Sequence, residues 1–180
     1  MWHDDFNNAE GLVKTSLKNL QLDYVDTYLL HWPLHYYTVP RIPMHKLWHD
    51  MEQLVDKKYT KSIGLCNFNV QLIWDILTYA RHKPVINQVE LNLQCQQPEL
   101  VRFLHGHNIV PMAYIPIARP GNVQDNMGDP KVPDDWVDFR ENEYLKQLAK
   151  KYNKTVVQVM LNWGLCKGHC VIPMAAQLNW

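Results

Sequence analysis

Apolar and polar positions along this chain alternate between two periods. From Ala9 to Leu20 the apolar residues Leu12, Val13, Leu17 and Leu20 recur at the spacing of one helix face. The next run, Tyr24–Leu30, is short and rich in aromatic and branched side chains, which predicts a strand. Leu47, Trp48, Met51, Leu54 and Val55 restore the helical period, Ser62–Leu65 predicts a second strand, and Val70–Arg81 a further helix. Val85–Leu91 reads as a strand. Pro98 suits the first position of a helix over Pro98–His107, because that position needs no backbone N–H donor. Ile109–Ile115 is another strand. Arg119–Asp138 holds Pro120, Gly121, Gly128, Pro130 and Pro133 and reads as a loop. Helices near Glu141–Tyr152 and Thr155–Leu165 and a strand at His169–Ile172 complete the pattern.

Strands separated by helical segments imply βαβ units and a parallel sheet. The strands are short and mostly apolar, as strands covered on both faces must be. A doubly wound sheet and a (β/α)8 barrel both fit. No G-x-G-x-x-G turn follows any strand, so the barrel is the favoured architecture.

A chain of 180 residues suits one domain with a substantial core. Eighteen basic side chains balance eighteen acidic ones, so no charge excess points to nucleic acid or an anionic membrane. Met1–Asp5 shows neither a basic nor an apolar signal region, and no apolar run approaches the ~20 residues that cross a bilayer. The expectation is a cytoplasmic protein. Cys66, Cys95, Cys166 and Cys170 match no zinc spacing and are expected to be reduced thiols. Asn153-Lys154-Thr155 fits a glycosylation acceptor, which has no role without secretion.

The candidate chemistry lies just after the strands, because all strand ends of a parallel barrel open on one face. His31 follows Tyr28-Leu29-Leu30 and could donate a hydrogen bond to a carbonyl that gains negative charge. A half-buried histidine bonded to backbone is the competing reading. Asn67 and Gln88 each offer a donor and an acceptor on one amide and could pin a ligand carboxamide from two sides. Loop capping by Asn67 and an internal network for Gln88 fit equally well. Tyr114 could stack on a planar ring or simply fill the core, and Trp32 carries the same two readings. His45 and His49 have metal-ligand spacing on a helix but no third ligand, so a solvated face is expected, as it is for His105 and His107.

Taken in order, these segments resemble the aldo-keto reductase family. Leu22-Asp23-Tyr24-Val25-Asp26-Thr27-Tyr28-Leu29-Leu30-His31-Trp32-Pro33 is similar to the segment that ends in the family's catalytic histidine. Lys61-Ser62-Ile63-Gly64-Leu65-Cys66-Asn67-Phe68 resembles its I-G-x-S-N-F signature, and Val85-Ile86-Asn87-Gln88-Val89-Glu90 its N-Q-x-E strand. Ala113-Tyr114-Ile115-Pro116-Ile117 parallels A-Y-S-P-L, and Val171-Ile172-Pro173 parallels V-I-P-K. The resemblance implies a partial TIM (β/α)8 barrel with about five of eight parallel strands, in one incomplete domain over residues 1–180. It implies reduction of an aldehyde or ketone with NADPH, NADH being the other option. By the same resemblance His31 is catalytic and Trp32 walls the substrate pocket. Cys66, Asn67, Gln88 and Tyr114 contact the cofactor, the two amides holding its carboxamide and Tyr114 stacking on its ring.

The chain departs from the family pattern at several points. The Asp, Tyr and Lys of the family's catalytic set are expected upstream, the Lys just before a Leu-Trp pair that Met1-Trp2 resembles. Tyr24, Tyr28, Tyr36 and Tyr37 do not hold the general-acid position, and loss of a general acid costs roughly 10²–10⁴-fold. Met174 stands where the family has a phosphate-pairing lysine, and Trp180 falls near an expected arginine. Cys66 and Ile115 each replace a serine. The expectation is therefore a carbonyl reductase in full-length form, with little or no activity in this chain. The alternative is a non-catalytic fragment or pseudoenzyme that acts as a binding module. Five strands cannot close an eight-stranded barrel, so self-association through open sheet edges is also expected.

Overall fold

The computed structural model describes residues 8–33, 42–118 and 138–174. Six helices and five strands alternate among them, namely α1 (Ala9–Leu20), β1 (Val25–Leu30), α2 (Met44–Asp56), β2 (Thr60–Cys66), α3 (Val70–Tyr79), β3 (Ile86–Glu90), α4 (Pro98–Gly106), β4 (Val110–Tyr114), α5 (Glu143–Tyr152), α6 (Val156–Cys166) and β5 (Cys170–Ile172). A short 3-10 helix, Phe139–Glu141, precedes α5. The strands hydrogen-bond in the order β1-β2-β3-β4-β5, and the registered pairs are parallel. This order, with a helix after each of the first three strands, is that of a partial (β/α)8 barrel. The predicted elements are all present, with ends shifted by a few residues. Residues 119–137 of the predicted loop, and Tyr36, Tyr37, Met1-Trp2 and Trp180, lie outside the described residues.

The chain forms two compact units, Met1–Val89 with Pro98–Pro111, and Glu90–Gln97 with Met112–Trp180. In the first unit α2 sends Leu47, Trp48, Met51 and Leu54 inward, one face of a 3.6-residue period. They join Leu30, Ile63, Leu65, Phe68, Ile73 and Ile76 in the core. Each such side chain contributes about 1.5–3 kcal/mol on burial. Strand β2 is buried almost without interruption from Ile63 to Cys66, as a strand covered on both faces requires. Gly64, paired with Leu29 of β1, has no room for a methyl group. A Cβ there would lie 2.7 Å from Leu29 Cδ2 and 2.8 Å from the carbonyl oxygen of Ile86.

A buried carboxylate closes the turn between α3 and β3. Glu52 Oε1 accepts from the backbone N–H groups of Arg81 at 2.6 Å and His82 at 2.8 Å. Asp56, one turn further along α2, takes a two-pronged bond from the Arg81 guanidinium at 3.0 and 2.6 Å.

In the second unit Tyr114 pairs with Ile172 of β5. Helix α6 opens on a capping box in which Thr155 and Gln158 satisfy each other's backbone N–H groups. Gly164 lets that helix approach β5 closely, since a Cβ would sit 3.0 Å from Val171 Cγ1. Ala113, Ala149 and Met160 are buried here.

Candidate functional site

The ends of β1, β2 and β3 are tied together by side-chain amides and backbone groups. Leu30 pairs with Leu65, and Cys66 with Gln88, so His31 and Asn67 follow the ends of β1 and β2, with Gln88 inside the neighbouring β3. At Asn67 the chain leaves β2 through the left-handed region, with φ of 63°. Asparagine tolerates that conformation far better than branched residues do. The Asn67 backbone N–H donates to the Gln88 carbonyl at 2.9 Å, and its side-chain Nδ2 donates to the His31 carbonyl at 3.0 Å. One residue thus binds the strand ends on both of its sides.

His31 and Trp32 are half-buried beside each other, their ring centres 5.9 Å apart and tilted by 41°. Cys66 is buried, and loss of solvation pushes its thiol up to about 12. A thiol raised in this way by burial is a weaker nucleophile than a free one. Burial also raises the Tyr28 phenol, which leaves it a poorer proton donor than an exposed tyrosine. Gln88 is half-buried in β3.

Beside these residues stands Asn87, which the sequence reading did not assign. It is fully buried, its Nδ2 donates to the Phe68 carbonyl at 2.9 Å, and its Oδ1 accepts from the Phe68 N–H at 3.4 Å. A signal was available. Val85, Asn87, Val89 and Leu91 share one face of a two-residue period, so Asn87 is an amide in an otherwise apolar row.

The second unit holds Tyr114, half-buried at the end of β4. Ile115 follows in the left-handed region with φ of 50°, a costly conformation for a β-branched side chain. Its carbonyl accepts from Asn92 Nδ2 at 3.2 Å. Asn92 is fully buried and also receives the backbone N–H groups of Gln94 and Cys95, each at 2.9 Å. Met174 lies in the same unit and is 88% exposed.

The remaining candidates have no common centre. His45 and His49 are exposed, and among the described residues no group of His, Cys, Asp and Glu could hold a metal ion. His105 is exposed. His107 is less solvated than its position at a helix end suggests. Its Nδ1 lies 2.8 Å from the Phe103 carbonyl, and its ring packs 4.2 Å from that of Phe103 and 5.3 Å from Trp74. Cys166 and Cys170 are exposed free thiols. Among the described residues no helix is long and apolar enough to cross a membrane.

The model of the aldo/keto reductase family matches residues 4–179. An aldo-keto reductase family 1 member of Danio rerio is 36% identical over 181 residues, covering 93% of this chain and 54% of the relative. A methylglyoxal reductase of Yersinia pestis is 32% identical over 177 residues, covering 96% of this chain and 56% of the relative. Among solved structures, an aldo-keto reductase complexed with NADPH superposes with a TM-score of 0.83 at 29% identity, covering 98% of this chain and 54% of that one. The chain spans about half the length of the relatives it matches.

Proposed function

The chain belongs to the aldo/keto reductase family, and from that premise we propose that it contributes the nicotinamide-holding part of an NAD(P)H-dependent reductase of aldehydes or ketones. NADPH is the expected cofactor, since a structural relative carries it, and NADH is the alternative. The observation that carries the reading is the tie between strand ends, in which Asn67 is bonded to both His31 and Gln88.

The donor set fits the cofactor. Asn67 and Gln88 each present an amide, the group that best matches a carboxamide's paired donor and acceptor. Tyr114 offers an aromatic face for a planar ring. When bound, the cofactor supplies the hydride. His31 donates a hydrogen bond to the substrate carbonyl oxygen and stabilises the charge that grows there. Trp32, beside it, walls the substrate side. Cys66, buried at the end of β2, belongs to the cofactor-contacting set in the same reading. Cytosolic residence and a small-molecule carbonyl substrate belong to the same reading. So does one incomplete domain over residues 1–180.

Two measurements test this reading on the purified chain. The first is titration with NADPH, followed by tryptophan fluorescence. The second is NADPH consumption in the presence of methylglyoxal. Saturable binding weakened by Asn67→Ala and Gln88→Ala supports the cofactor role. Little or no turnover is expected of this chain alone; any that is seen and is lost in His31→Phe with binding retained supports the catalytic role. Absence of any NADPH binding by the wild-type chain sinks the proposal.

A further inference from the structure

The reading of Asn67 as a cofactor-holding amide leaves open what fixes its backbone. Asn67 sits with φ of 63°, and a left-handed residue between a strand and a helix N-cap needs neighbours that hold it there. Its own backbone N–H is fixed by the Gln88 carbonyl. On its C-terminal side, Asn69 caps α3 by accepting from the Leu72 N–H at 3.0 Å. Between them, both backbone polar groups of Phe68 are met by one side chain, Asn87. Phe68 is 1% exposed and Asn87 fully buried, so water does not substitute for either bond.

Resting on the proposed cofactor site, we infer that Asn87 is a positioning residue, which clamps the Phe68 peptide groups so that Asn67 presents its amide at the end of β2. Asn87 touches neither cofactor nor substrate in this assignment. It acts through the Phe68 backbone, and its strand partner Leu65 sets its register opposite that loop. An amide suits the task because it carries a donor and an acceptor on one planar group, matching one N–H and one C=O. Leucine would fill the same volume and leave both backbone groups without partners.

The test uses the full chain and a double-mutant cycle between Asn67→Ala and Asn87→Ser. Backbone amide exchange, followed without cofactor, should lose protection at Asn67 and Phe68 in Asn87→Ser while β1 and α2 keep theirs. NADPH binding should weaken about 10-fold, a change of about 1.4 kcal/mol. The double variant should bind no worse than Asn67→Ala alone. If Asn67→Ala leaves NADPH binding unchanged, the cofactor reading fails, and amide exchange still decides the clamp. If Asn87→Ser lowers thermal stability but leaves both NADPH affinity and local protection intact, Asn87 is only a core residue and the inference is overturned. Should the serine variant not fold, Asn87→Asp keeps the size and the acceptor and, when ionised, removes the donor. Protection at Asn67 and Phe68 equal to wild type in that variant also overturns it.

Discussion

The side-chain amide of Asn67 donates to the backbone carbonyl of His31 across 3.0 Å, so the end of β2 holds the end of β1. A candidate cofactor ligand thus also fixes the backbone of the candidate catalytic histidine. Asn67→Ala is expected to cost about 1–3 kcal/mol, because a part-buried carbonyl loses its donor. It should weaken NADPH affinity and loosen the backbone at His31. Urea denaturation together with NADPH titration and amide exchange checks this; unchanged protection around His31 would mean that it is held by other contacts.

Gly64→Ala is expected to destabilise the protein by about 1–3 kcal/mol, as overpacking of a tight interior does. The obstacle is backbone as well as side chain, since the new methyl would meet the Ile86 carbonyl oxygen at 2.8 Å. Thermal unfolding within error of the wild type would show that β2 and β3 can separate more easily than their packing suggests.

Asn92→Ala strips the Gln94 and Cys95 N–H groups and the Ile115 carbonyl of a common buried partner. Each unsatisfied group costs about 1–3 kcal/mol, so the loss should be among the largest single-residue effects in the chain. The strained Ile115 should relax at the same time. Amide exchange at Gln94 and Cys95 is the direct readout, and unchanged protection there would refute the assignment.

Acid sensitivity should come from two surface carboxylates on helices α1 and α2. The Arg81 guanidinium, and then His82, hold the Asp56 carboxyl well below the usual range. Lys14 and Lys57 hold Glu10 down to about 2. Lowered folded values mean stabilisation that is full above about pH 4, the range of free carboxylates, and that fades as pH falls towards 2. Asp56→Asn should flatten the urea midpoint as pH falls from about 4 towards 2, the window where the wild type loses this stabilisation. Parallel profiles for the two proteins would remove Asp56 from the account.

The thiols should separate cleanly under an alkylating reagent at mildly alkaline pH. Cys66 is buried, with its thiol pushed up to about 12, so it should stay unmodified in the folded chain while exposed Cys166 and Cys170 react. Peptide mass mapping after iodoacetamide treatment, with and without urea, gives the answer. Early labelling of Cys66 would mean that the end of β2 opens far more readily than its packing allows.

Much of this was legible in the chain itself. The two hydrophobic periods placed the six α-helices and five strands among the described residues, though not the 3-10 turn before α5, because period is a property of neighbouring residues and survives without tertiary information. The positions of His31, Trp32, Cys66, Asn67 and Tyr114 at or just after strand ends were also legible from the β/α alternation, whereas Gln88 lies within β3 and was singled out with them by the resemblance. His107 read as a surface residue, yet its ring rests on Phe103 and Trp74, and only the packing of α3 beside α4 could show that.

The amino-acid order by itself determined the elements, their parallel sense and the list of groups near the strand ends. Tertiary structure alone decided how those groups are used. The Asn67 amide reaches the His31 carbonyl across 36 positions of sequence, and Asn87 meets Phe68 across 19. Hydrogen bonds of that kind depend on angles and on distances within a few tenths of an ångström, which strand register and packing set. Local sequence carries the donors and acceptors; only the folded sheet carries their partners.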